Sequence, residues 1–171
     1  MRVSMIAVSM GILFGAMGCS PSSENASKDA SRQNAKYALV SEPANAMPVG
    51  EARKTAKTDE AITLVGLIGG SSEPFVNGMA AFTIVDTKVP YCAADEGCPT
   101  PWDYCCQTNA VKDNIATVQI VDERGKPVLS DARQLLNVKE LSTVTVQGTV
   151  KRDQQGNLTV LATKLFVSER K

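Results

Sequence analysis

Five short runs of β-branched and apolar residues, each closed by a turn-forming cluster, occupy the chain from Ala61 to Val167 and leave room for one helix. Ala61 to Gly69 reads AITLVGLIG, Met79 to Asp86 reads MAAFTIVD and Ala116 to Asp122 reads ATVQIVD. Between Ser130 and Leu141 the apolar period lengthens, with Leu135, Leu136, Val138 and Leu141 on one side and Ser130 or Asp131 placed to cap a helix. Ser142 to Val150 then alternates cleanly, and Leu158 to Val167 follows the turn residues Asp153 to Asn157. Strand, strand, strand, helix, strand, strand in roughly 110 residues is the content of one all-β domain.

That order resembles the OB-fold, a five-stranded Greek-key barrel with a helix between its third and fourth strands. Gly66 in the first run and Gly148 in the fourth sit where such barrel strands coil sharply. The resemblance implies a ligand face bordered by two loops, Gly70 to Gly78 and Lys151 to Asn157. Phe75, Trp102, Tyr104, Lys151 and Arg152 are the side chains expected there, the aromatics as a stacking platform.

Between the second and third runs, about residues 88–114, lies an insertion holding Cys92, Cys98, Cys105 and Cys106. Its Cys98-Pro99-Thr100-Pro101-Trp102-Asp103-Tyr104-Cys105-Cys106 segment resembles one found in small secreted or lipid-anchored OB-like proteins of Planctomycetes-type bacteria. The resemblance spans about Ile62 to Val167 and implies a fold and a location, not an activity. Two chemistries compete for the four sulfurs. In an exported chain an even number of cysteines implies disulfides, as Cys92–Cys105 with Cys98–Cys106 or as Cys92–Cys106 with Cys98–Cys105. Bonding the adjacent pair to each other would distort the intervening peptide. A bridge closing about fifteen residues stabilises by roughly 3 kcal/mol on the chain-entropy model. Alternatively the thiolates hold zinc or copper(I), with Asp95, Glu96 and Asp103 offering oxygen to harder ions. The spacing Cys-x5-Cys-x6-Cys-Cys lacks the Cys-x2-Cys knuckles usual in such sites, so disulfides are the first expectation and no cofactor is expected with them. It also lacks a Cys-x-x-Cys pair suited to redox catalysis.

The N-terminus supplies the exported address. Arg2, an apolar run from Met5 to Met17 too short to span a bilayer, and small residues before Cys19 form a signal peptide over 1–18. Ala16-Met17-Gly18-Cys19 resembles the lipobox of bacterial lipoproteins, which implies lipidation of Cys19 and an N-terminal membrane anchor. Ser20, rather than aspartate, after the anchor points to the outer membrane facing the periplasm. Residues 19–60, rich in Ser, Ala, Asn, Lys and Glu, read as a flexible linker reaching about 35 Å, in which Tyr37 to Val40 is the one candidate for a short docked strand.

Composition narrows the activity. With 18 basic and 18 acidic residues the chain advertises no phosphate-binding stripe, so nucleic acid is not expected as a partner; a protein or small ligand is. The absence of histidine removes the usual general base and any Ser-His-Asp triad. Asp86, Asp103 and Asp122 follow strands or turns, where aspartate ordinarily serves the backbone, and no nucleophile has an activating neighbour. The sequence therefore predicts a non-enzymatic binding module, with a metal-binding or redox protein centred on Cys92, Cys98, Cys105 and Cys106 as the alternative and single-stranded nucleic acid binding, by analogy of fold alone, as a further one.

Overall fold

The strand-forming runs pair into one sheet that closes on itself. The computed structural model describes residues 34–168, and in them the strands are β1 (Met47–Pro48), β2 (Ala61–Ile68), β3 (Ala81–Val85), β4 (Ile115–Ile120), β5 (Thr143–Arg152) and β6 (Leu158–Ser168). The helices are α1 (Val49–Thr55), α2 (Thr108–Asp113) and α3 (Ala132–Leu136). β2, β3 and β4 form an antiparallel meander, β4 lies parallel to β6, β6 is antiparallel to β5, and β5 returns antiparallel to β2. Five strands thus form a closed OB-fold-like barrel, with α3 between the third and fourth of them, as the sequence predicts.

Alternation decides which residues fill the barrel. Leu64, Ile68, Phe82, Ile84, Val118, Ile120, Val144, Val146 and Val160 are all fully buried in one core, to which α3 adds Leu135 and Leu136. The Asp131 carboxylate caps α3 by accepting from the Arg133 and Gln134 backbone N–H groups at 2.8 and 3.3 Å. α3 is shorter than the apolar period suggests, because Asn137 adopts a left-handed φ of 53° and ends it. Gly148 marks a register shift between β5 and β6, and a Cβ there would run into the Leu161 backbone carbonyl.

The linker expected over 19–60 requires correction across its described part. Residues 34–37 are helical, Ala38 bridges Leu165, and the Leu39 N–H donates to the Leu165 carbonyl at 2.7 Å. β1 adds in parallel to β2, and Val49, Ala52, Ala56 and Tyr37 join the core. Apolar residues too sparse to form a periodic run still suffice here, because they dock on a preformed surface. α1 is also clamped at both ends. At its start the Gly50 N–H donates to the buried Asp86 carboxylate at 2.8 Å; at its end the Arg152 guanidinium donates to the Ala52, Arg53 and Ala56 carbonyls at 3.1, 2.7 and 3.0 Å. Both charges complement the helix dipole. Residues 19–33, together with the signal peptide expected over 1–18 and the lipidation expected at Cys19, lie outside the described residues. Among those described, no helix is long and apolar enough to cross a membrane.

Candidate metal centre

The cysteine insertion leaves the end of β3 and returns at β4 through three 3-10 turns, Ala94–Glu96, Pro101–Asp103 and Cys105–Gln107, followed by α2. Proline and glycine punctuation favours such turns over longer elements. Its anchor is Tyr104, fully buried in a small cluster with Val85, Val89 and Val111. Tyr104 also takes a left-handed φ of 57°, which reverses the chain so that Cys105 and Cys106 turn back towards Cys92 and Cys98. Asp103 holds that reversal, accepting from the Cys105 N–H at 2.8 Å and from the Thr100 hydroxyl at 2.6 Å. The insertion then lies against the barrel at Gly69 and Gly70. The Gly70 N–H donates to the Trp102 carbonyl at 2.8 Å, and a Cβ on Gly69 would come within 2.5 Å of that same oxygen.

These contacts bring four sulfurs together. The Cys105 Sγ stands 3.3 Å from Cys98, 3.5 Å from Cys92 and 3.7 Å from Cys106, and all four Sγ atoms lie within 4.8 Å of one another. A disulfide requires about 2.05 Å. Among the described cysteines no pair is at that distance; all four are free thiols, so the expected bridges are not formed here. The separations instead approach the edge of a tetrahedron of sulfurs around zinc, about 3.8 Å for Zn–S bonds of about 2.3 Å. The missing Cys-x2-Cys knuckles matter less than the spacing suggests, because the turn at Pro101–Asp103 and the reversal at Tyr104 aim the ligands instead.

Carboxylates stay out of the cluster. Asp103 serves Thr100 and Cys105, and Glu96 accepts from the Ala93 N–H at 2.6 Å. Among the described residues the converging group of possible ligands is the four thiols alone. The Thr100 hydroxyl, then the Cys105 N–H, hold the Asp103 carboxyl below its ordinary range.

The thiols do not share one protonation tendency. The Cys106 backbone N–H lowers Cys92 by favouring its thiolate, against the effect of burial. For Cys98 the Cys105 thiol works downward, but the hydrogen bond to Cys92 and lost hydration outweigh it and push Cys98 up to about 11. Cys105 is raised by its hydrogen bonds to Cys98, Cys92 and Cys106 in turn. Four thiolates crowd unfavourably without a cation among them, and a divalent ion removes that penalty by displacing the protons.

The side chains expected on a ligand face are dispersed. Phe75 is buried, its ring centroid 5.8 Å from that of Phe82 and 3.9 Å from the Arg133 guanidinium carbon. Tyr104 belongs to the buried cluster already described. Trp102 is half-buried, donates from its indole N–H to the Ser72 carbonyl at 3.1 Å, and lines an open groove of about 1070 Å³ with Leu136, Leu141 and Val167. Lys151 pairs with Asp59 at 2.5 Å, and Arg152 clamps α1. No aromatic platform forms from Phe75, Trp102 and Tyr104. Sequence reasoning placed the four cysteines but missed the positioning roles of Thr100, Asp103 and Gly69. The Thr-x-x-Asp spacing between Cys98 and Cys105 is the signal that was available for the first two.

No family model matches this chain, and no curated protein sequence matches it. Among solved structures, it is similar to the hypothetical protein ygiW of E. coli, at 14% identity and a TM-score of 0.40, over 77% of this chain and 96% of that one. It is also similar to an aspartyl tRNA synthetase from Entamoeba histolytica, at 8% identity and a TM-score of 0.42, over 80% of this chain and 26% of the synthetase. The chain thus corresponds to about a quarter of the synthetase's length.

Proposed function

We propose that this protein is a non-enzymatic, lipid-anchored module of the cell envelope that binds a d10 metal ion through Cys92, Cys98, Cys105 and Cys106, with zinc the first choice and copper(I) the second. The observation carrying the proposal is the convergence of four unbonded Sγ atoms within 4.8 Å of one another. An all-sulfur set suits a soft or borderline ion and not magnesium or calcium. Four protein ligands fill a tetrahedron, which is the pattern of sites that hold a fold together, whereas catalytic zinc keeps a position open. The ion would tie together an insertion that has only the Tyr104 cluster as apolar core of its own, and so hold Trp102 beside the groove for a protein or small-ligand partner. The N-terminal anchor and envelope location rest on the signal and lipobox pattern ending at Cys19.

The test is metal and thiol analysis of full-length protein purified without reductant or chelator. One ion per chain, with four thiols counted after denaturation in chelator, is the expected result. Two disulfides and no ion would return the module to the disulfide-stapled form first expected from its cysteine count.

A further inference from the structure

The four sulfurs are not equivalent. Cys105 is exposed and lies within 3.7 Å of each of the other three, Cys98 is half-buried and nearest to it, and Cys92 is buried. Cys106 is exposed, and its Sγ lies within 4.8 Å of the Cys92 sulfur. A closed structural site ordinarily shields its ligands; here solvent reaches two of the four.

We propose that the site is a redox-labile metal store, in which a small-molecule disulfide oxidises Cys105 and Cys98 first and Cys92 and Cys106 second, expelling the ion. This rests on the metal-binding reading above. The Cys105 thiolate attacks one sulfur of the small disulfide, forming a mixed disulfide and releasing the first small thiolate. The Cys98 thiolate, 3.3 Å away, then attacks the Cys105 sulfur and releases the second. One small disulfide and two protons thus convert two metal-bound thiolates into a Cys98–Cys105 bridge and two small thiols, leaving the ion on two ligands. A second equivalent closes Cys92 to Cys106, and the divalent ion departs. Cys105 and Cys106 do not bridge each other, because that ring would distort their shared peptide bond. Of the two pairings that the sequence leaves open, the geometry therefore points to Cys98–Cys105 with Cys92–Cys106.

The experiment uses the zinc-loaded full chain, oxidised glutathione as the disulfide, a chromogenic chelator to read released zinc, and an endoproteinase that cuts before aspartate. Cleavage at Asp95 and Asp103 puts Cys92, Cys98 and the Cys105–Cys106 pair on three separate peptides. Wild-type protein is expected to release one zinc per chain, with the Cys98 peptide linked first to the Cys105–Cys106 peptide and fragmentation locating the bond at Cys105. C106S is expected to form the Cys98–Cys105 link alone, and C105S to lose zinc to oxidised glutathione roughly tenfold more slowly. A chain that never takes up a metal ion through the thiols refutes the metal site itself. A chain that holds zinc on four thiols yet keeps it under oxidised glutathione, or that first joins Cys92 to Cys105, refutes the redox store alone. The wild-type arm decides this even if a variant fails to fold.

Discussion

Raising the pH from 6 to 8 is expected to tighten zinc binding by at least about four orders of magnitude, the share of Cys98 and Cys105 alone. Without metal, Cys98 is held up at about 11 and Cys105 is also raised, so both stay protonated across that interval. Each must shed its proton to become a ligand, and every proton released raises the apparent association constant about tenfold per pH unit. Two protons give about a hundredfold per unit, hence about ten-thousandfold over two units. Competition against a chelator of known pH dependence measures the slope, and calorimetry in two buffers of different ionisation enthalpy counts the protons directly. Release of fewer than one proton per ion would falsify the assignment of these thiols as ligands.

Three further outcomes follow from the fold. In the reduced, metal-free protein, neutral Cys98 and Cys105 are favoured by folding, so their contribution to stability is fully present below about pH 8.5 and declines as pH rises towards 11, where the unfolded chain ionises first; urea titrations between about pH 8.5 and 11 check the sign, and rising stability across that window would contradict it. Phe82→Ala removes a fully buried ring that packs on Phe75 and is expected to cost about 3–5 kcal/mol in urea unfolding. Arg152→Met keeps an apolar stem but deletes the donors to Ala52, Arg53 and Ala56; a loss of about 2 kcal/mol is expected, with faster hydrogen exchange confined to residues 49–56, and unchanged exchange there would refute the clamp.

Local pattern carried most of the barrel. β5 is readable because Thr143 to Val150 alternates on a two-residue period, and Asp131 announces α3 because its side chain can satisfy N–H groups that the helix leaves unpaired. α1 was illegible for the opposite reason. Its helix is seven residues long in a polar stretch, and what holds it comes from Asp86 and Arg152, 36 and about 100 positions away in the chain. Lys151 and Arg152 looked like a basic ligand-binding pair, yet Asp59 and the α1 carbonyls already occupy them.

The cysteine cluster divides along the same line. Sequence alone determined which sulfurs are available, that histidine takes no part in any site, and that a strand-rich barrel would carry the insertion, since residue types and their periods are local properties. Only the tertiary structure decided that Cys92, Cys98, Cys105 and Cys106 meet at 3.3–3.7 Å around Cys105 as thiols and not as bonded pairs. That convergence depends on burying Tyr104 against Val85, Val89 and Val111 and on reversing the chain at its positive φ. Both are fixed by packing between segments distant in sequence, which spacing between cysteines cannot encode.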